Sequence, residues 1–83
     1  MCIRDRDKRF VLETAFRNKA RSVVLVHNHV NGIPVPSRDD LNTTKAVGDF
    51  FQGVNVHLLD HLIYTDEDIF SMAQVKKFAP LFI

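Results

Sequence analysis

The sequence has little of what several classes of protein require. It has a single cysteine, Cys2, so an internal disulfide is excluded, which fits a reducing, cytoplasmic compartment. Its 83 residues include no apolar run long enough to cross a membrane. The formal net charge is only +1, with both signs mixed throughout, so no broad basic surface is available for nucleic acid or an anionic membrane. The length permits one small domain.

Two histidines follow an apolar segment. The run SVVLV at 22–26 is rich in β-branched residues and too short for a helix, so it predicts a buried strand from Ser22 to about His27. Side chains two residues apart share one face of an extended chain. His27 and His29 are therefore expected to present two imidazoles on the same side.

A helix is predicted to begin at Arg38, with Ser37 as its N-cap. Pro34 and Pro36 prevent a helix before this point. After it, apolar or small residues recur at a spacing of three to four: Leu41, Thr44, Val47, Gly48 and Phe51. Ser37 and Asp40 then have the spacing of a capping box with a short acid at its third position, and capping alone would account for both.

Asp40 has a second role open to it beside the histidines. A helix that begins after a strand brings its first carboxylate toward the carboxyl end of that strand, the usual ligand crevice of α/β sheets. Two imidazoles and one carboxylate with an open fourth position form the donor set of a catalytic zinc site. The sequence therefore predicts one zinc ion bound by His27, His29 and Asp40.

These residues carry a resemblance to a known family. The spacing from His27 to Asp40 resembles the JAMM signature of the JAB/MPN+ metallopeptidase domain, H-x-H-x7-S-x2-D. The stretches HNH at 27–29, PSRDD at 36–40 and LLDHLI at 58–63 are similar, more narrowly, to RadC-like proteins. The resemblance covers roughly residues 9–74 and implies a partial MPN fold.

The resemblance also implies a function. It implies a zinc-dependent peptidase or isopeptidase-like hydrolase in which Ser37 assists the metal-activated water and the substrate is a peptide or protein. The family's general base is a glutamate on a strand before the first helix. Glu13 instead lies in a helix predicted from about Lys8 to Ala20, where it can pair with Arg17. The general base is therefore expected to be absent from this chain, and activity to be impaired.

The two ends of the chain are predicted to lie outside the domain. Residues 1–8 are expected to form a non-native or disordered arm, residues 9–75 a domain incomplete on its N-terminal side, and residues 76–83 a tail. Within the domain, Val30 and Asn31 depart from the RadC-like pattern, while Asn31-Gly32 predicts a turn.

The second half of the chain completes an order of helix, strand, helix, strand, strand around a small mixed sheet. The second helix is predicted from Arg38 to Gln52 with a left-handed cap at Gly53. A strand buried on both faces for much of its length follows from Asn55 to Thr65, parallel to the first. A polar turn at 65–68 and a short antiparallel strand at 69–72 end the sheet.

Two further histidines lie on the second long strand. His57 and His61 are four residues apart, roughly 13 Å along a strand, which is too far to chelate one ion. The pair Asp60-His61 matches the RadC-like pattern, so Asp60 and His61 could lie beside the metal. A structural role is favoured for His61.

Two other functions stay open. One is a non-catalytic zinc-binding or protein-interaction module. The other is a DNA-repair-associated protein, suggested by the old repair label of RadC proteins. HNH nucleases take their three residues from well-separated positions, and the only local basic cluster beyond the N-terminal arm is Arg17, Lys19 and Arg21, so DNA binding is expected to be weak. The pattern leaves the oligomeric state open.

Overall fold

A computed structural model describes residues 1–4, 8–29 and 35–82. The described strands are β1 (Cys2–Arg4), β2 (Ser22–Asn28), β3 (His57–Tyr64) and β4 (Ile69–Ser71), and the α-helices are α1 (Lys8–Arg17) and α2 (Arg38–Gly53). Short 3₁₀ helices follow at Met72–Gln74 and Ala79–Leu81. The predicted turn at Asn31-Gly32 lies outside the described residues. Among the residues described, no helix is long and apolar enough to span a membrane.

The four strands form one mixed sheet in the order β1-β2-β3-β4. β2 pairs parallel with β1 and β3, and β3 pairs antiparallel with β4, as the predicted crossover and hairpin require. The prediction placed residues 1–8 outside the fold, yet Cys2–Arg4 add an edge strand. Ile3 explains this difference, because its side chain is buried in the core.

The helices cover one face of the sheet and enclose the core there. Val11 and Ala15 of α1 and Val47 and Phe51 of α2 pack with Val23, Leu25 and Leu58 of the sheet. Phe82 also packs against this core from the predicted tail. Burying these apolar side chains is the main favourable term in a domain of this size.

Strand β3 contains an irregularity that the sequence pattern did not predict. Val23 pairs with Leu58, but the next residue of β2, Val24, pairs with Asp60. Leu59 is thus the extra residue of a β-bulge and is exposed. Burial on both faces was predicted for much of this strand, and Leu59 departs from it, because the bulge turns Leu59 to solvent and brings His61 to the helix-covered face.

The helix ends differ from the prediction. α1 ends at Arg17, where Lys19 takes a left-handed conformation (φ 52°) and the side chain of Asn18 donates to the carbonyl of Thr14. α2 includes Gly53, and the left-handed residue after it is Asn55 (φ 60°). Asparagine tolerates this conformation better than most residues, so the predicted cap at Gly53 is replaced by a turn two residues later.

A polar turn and one carboxylate fix the end of the sheet. The amide of Thr65 donates to the carbonyl of Asp68, while the Thr65 hydroxyl oxygen accepts from the amides of Glu67 and Asp68. Asp60 accepts from the hydroxyl of Ser71 and from the amide of Ala73 at 2.9 Å. The bonds of Asp60 tie β3 to the last residue of β4 and to the chain that follows it.

Candidate metal centre

The two predicted imidazoles lie together at the carboxyl end of β2. The amide of His29 donates to the carbonyl of Tyr64 at 2.9 Å, which extends the parallel ladder one residue beyond Asn28. His29 therefore remains in phase with His27, and the two rings meet edge to face with centroids 4.8 Å apart. The predicted placement of both side chains on one side is confirmed.

Asp40 faces both imidazoles from the first turn of α2. Nδ1 of His27 lies 3.2 Å from Oδ1 of Asp40, and Nε2 of His29 lies 3.0 Å from Oδ2. The side chain of Asp40 is 3% exposed, that of His29 is 14% exposed and that of His27 is 32% exposed. The carboxylate is thus at the closed end of the cluster, and His27 is the side that solvent reaches.

The capping box holds this carboxylate in place. The amide of Ser37 donates to Oδ2 of Asp40 at 2.8 Å, and the amide of Asp40 donates to Oγ of Ser37 at 3.1 Å. Both halves of the predicted box are present. Capping is therefore a confirmed role of both residues, and the catalytic role of Ser37 stays a prediction.

Hydrogen bonds and charge determine the ionisation of Asp40. Burial acts to raise its pKa, but the amide and hydroxyl of Ser37 and the imidazoles of His27 and His29 lower it by more. The pKa of Asp40 therefore lies below its ordinary value. Near neutral pH the side chain is an anion, the form that binds a cation.

A third imidazole lies in the same cluster. One ring nitrogen of His61, a ring nitrogen of His27 and a carboxylate oxygen of Asp40 all lie within 4.8 Å of one another. His61 is completely buried, and its Nδ1 is 2.6 Å from the hydroxyl oxygen of Thr44. The sequence analysis favoured a structural role for His61 and left a place beside the metal as the alternative.

Thr44 was not predicted to belong to the site. It entered the sequence analysis only as a member of the apolar pattern of the second helix. Its spacing from Asp40, four residues along the same helix, was a signal that it faces the same way. The bulge at Leu59 brings His61 opposite Thr44, and no feature of the sequence predicted this bulge.

The remaining predicted residues lie elsewhere. His57 is exposed at the first residue of β3, where its amide donates to the carbonyl of Arg21 at 2.8 Å. Asp60 accepts from the Ser71 hydroxyl at the end of β4, from the Ala73 amide, and from the amide of His61 at 2.7 Å. Glu13 is exposed on α1, and its ion-pair partner is Arg9 at 3.0 Å, where the sequence predicted Arg17.

The donor set of the cluster fits a metal ion. Imidazole nitrogens and a carboxylate oxygen are ligands that zinc takes in proteins, and the carboxylate supplies negative charge in a buried place. Of the residues described, His27, Asp40 and His61 form the group of three whose ligand atoms lie within 4.8 Å of one another. His29 contacts Oδ2 of the same carboxylate, whereas His27 contacts Oδ1.

Comparison with known proteins agrees with the motif. The sequence profile of the RadC-like JAB domain matches residues 5–77. The chain is 39% identical over 66 residues to a protein of Geobacillus thermodenitrificans and 41% identical over 66 residues to one of Pseudomonas syringae pv. tomato. A protein of Bacillus cereus is 38% identical over the same length. Each of the three bears a name that begins "UPF0758 protein", which states no activity.

The alignments cover most of this chain but only a small part of each relative. They cover 80% of this chain and 29 to 30% of the relatives, so the chain spans less than a third of the length of the curated proteins it matches. The profile match includes His27, His29, the capping box and His61. Since it covers most of the sequence, the chain belongs to the RadC-like JAB domain family.

Proposed function

We propose that this domain is a metal-dependent hydrolase of the JAMM type, which binds one zinc ion through His27, His29 and Asp40 and acts on a peptide or isopeptide bond. The observation that carries the proposal is the placement of two imidazole nitrogens on opposite oxygens of one buried carboxylate. Zinc bound there would supply a water of lowered pKa as the nucleophile.

The protein's own groups prepare the site in two ways. The Ser37 amide and the imidazoles hold Asp40 as an anion in a fixed orientation. The Ser37 hydroxyl oxygen accepts from the Asp40 amide, and its single hydrogen, which helps to lower the pKa of Asp40, can turn from that carboxylate toward the substrate. We assign this hydrogen to the oxygen that becomes negative as the substrate carbonyl is attacked, a contribution typically of a few kcal/mol.

A non-catalytic zinc-binding module is the second candidate. It is favoured by the position of Glu13, which is exposed on α1 and paired with Arg9. Loss of a general base typically lowers the rate about a hundred- to ten-thousand-fold. A library of peptides and isopeptide-linked peptides, incubated with the zinc-loaded chain and with its His29→Ala variant, separates the candidates. Cleavage by the first alone supports hydrolysis, and cleavage by neither supports the module.

DNA processing ranks last because of where the basic residues lie. Lys19 and Arg21 precede β2, whereas His27 lies near its other end, about 20 Å away by the rise of a strand. The basic cluster therefore cannot hold a phosphate beside the proposed metal. Nicking of duplex DNA that required His27 would reverse this ranking.

Zinc binding is the experiment that tests the site. We expect the purified chain to bind one equivalent of zinc at neutral pH, and His29→Ala to lose stoichiometric binding. His57→Ala is the matched control, since His57 is an exposed histidine at the opposite end of β3. Equal affinity of the His29→Ala variant and the unmodified chain would refute the ligand assignment.

A further inference from the structure

His61 lies beside the proposed site of His27, His29 and Asp40 but has no role in it so far. His61 is completely buried and lies in register with Leu25, two residues before His27 on the adjacent strand. The rings of His27 and His61 have centroids 6.3 Å apart. A buried imidazole beside two others and a carboxylate needs an explanation beyond packing, since histidine is polar at both ring nitrogens.

The hydrogen bonds of Thr44 determine which nitrogen of His61 carries the proton. The hydroxyl oxygen lies 2.7 Å from the carbonyl oxygen of Asp40 and 2.6 Å from Nδ1 of His61. A carbonyl oxygen can only accept, so the single hydroxyl hydrogen goes to Asp40. The sulfur of Met72, at 4.0 Å, is a far weaker acceptor.

The second contact must then run in the other direction. Because the hydroxyl hydrogen is used, the bond to His61 forms only if Nδ1–H is the donor and Thr44 Oγ1 the acceptor. In a neutral imidazole the other nitrogen, Nε2, then carries the lone pair. This is the arrangement in which metal-binding histidines are commonly held, with one nitrogen donating to the protein and the other free to ligate.

We propose that Thr44 is a positioning residue that sets His61 as a third imidazole ligand, through Nε2, of the metal centre. This inference rests on the proposed zinc site. One ring nitrogen each of His27 and His61 and one carboxylate oxygen of Asp40 lie at most 4.8 Å apart, whereas ligands about 2.0 to 2.2 Å from a tetrahedral zinc are about 3.4 Å apart. The ring of His61 is therefore close enough to His27 and Asp40 for a side-chain adjustment to let it bind the same ion.

The added ligand changes what the centre can do. His27, His29, Asp40 and His61 together supply three imidazoles and one carboxylate, which is a full tetrahedral set. A water that attacks a substrate then needs a fifth position or the release of one ligand. His61 thus favours tight metal binding and limits how open the metal is to substrate.

The direct test is the histidine side-chain nitrogen NMR spectrum of the ¹⁵N-labelled chain, recorded without metal and with one equivalent of zinc. We expect His61 to carry its proton on Nδ1 before zinc is added. On addition, the ring signals of His27, His29 and His61 should all change, while those of His57 should not. Protonation of His61 on Nε2 in the metal-free chain would overturn the inference.

The same spectra separate this inference from the proposed function. If His27 and His29 respond to zinc and His61 keeps its metal-free signals, the third ligand is refuted and the proposed site stands. If none of the three responds, the proposed site fails, and this inference fails with it.

A pair of substitutions tests the role of Thr44. Thr44→Val removes the hydroxyl at nearly constant shape, and we expect zinc affinity to fall about 10- to 100-fold, as for other groups that orient metal ligands. Thr43→Val is the matched control, one residue away on α2. Affinities are measured by competition with a zinc-binding dye. An unchanged affinity in the Thr44→Val variant would refute the positioning role.

Discussion

Ser37 and Asp40 hold each other through two reciprocal hydrogen bonds, from the Ser37 amide to Oδ2 of Asp40 at 2.8 Å and from the Asp40 amide to Oγ of Ser37 at 3.1 Å. The carboxylate that completes this capping box is the one that faces His27 and His29. The start of α2 and the proposed metal centre are therefore one structural unit. A substitution at Ser37 should therefore also affect how firmly the Asp40 carboxylate is held toward the two histidines.

Replacing Ser37 with alanine should separate stability from metal binding. The variant loses the hydroxyl acceptor for the Asp40 amide but keeps its own amide bond to the carboxylate. We expect the free energy of unfolding to fall by about 0.5 to 2 kcal/mol in urea titrations of the metal-free chain. Zinc stoichiometry should remain at one. Ser37→Thr, which keeps a hydroxyl, is the control and should lose less stability; loss of zinc binding in Ser37→Ala alone would show that the hydroxyl is needed for the site.

The lowered pKa of Asp40 predicts how stability depends on pH. Because this pKa is lower in the folded chain, the unfolded chain binds more protons over the interval between the two values. The stabilisation is fully present above the ordinary aspartate pKa of about 3.9 and is lost as the pH falls through the lower, folded pKa.

Asp40→Asn should remove this contribution. In thermal unfolding of the metal-free chain between neutral pH and about pH 2, the midpoint of the variant should fall less on acidification than that of the unmodified chain. Asp39→Asn, at an exposed neighbouring position, is the control and should follow the unmodified chain. Parallel curves for Asp40→Asn and the unmodified chain would contradict the assignment.

The residues of the site that the sequence predicted are those fixed by local geometry. His27 and His29 share a face because a strand alternates, and Ser37 and Asp40 face each other because one helical turn separates them. Each relation depends on no more than four consecutive residues. The order of strand and helix added the expectation that the two pairs meet, the family motif agreed with it, and the contacts to Asp40 confirm it.

The residues that the sequence did not predict depend on pairing between distant segments. His61 reaches the site only because Leu59 is accommodated in a bulge opposite Val23 and Val24. Thr44 gains its role only once His61 is opposite it. Edge strand β1 has three residues and no readable pattern, and it forms through its pairing with β2 and the burial of Ile3.

Asp60 should prove structural in a direct test. Its carboxylate accepts from the hydroxyl of Ser71 and the amide of Ala73, so Asp60→Ala leaves these groups without that acceptor. We expect a loss of about 1 to 3 kcal/mol in the free energy of unfolding and faster hydrogen exchange of the Ala73 amide. Zinc affinity should change little. Asp66→Ala, in the exposed turn, is the control; a fall in zinc affinity as large as that of His29→Ala would place Asp60 in the metal centre instead.

Deletion of Leu59 tests the bulge that places His61. In the structure Leu59 is the extra residue between two pairs of the ladder, so its removal leaves Leu58 opposite Val23 and Asp60 opposite Val24. The shortened strand should keep His61 on the helix-covered face, and the chain should still bind one zinc and unfold cooperatively. Deleting Leu62 instead removes a residue from the regular ladder and turns every residue after it to the other face. We expect that control to lose Ile63 from the core and to unfold at much lower urea concentration. If the two deletions are equally damaging, β3 is not bulged at Leu59, and His61 reaches the helices by another path.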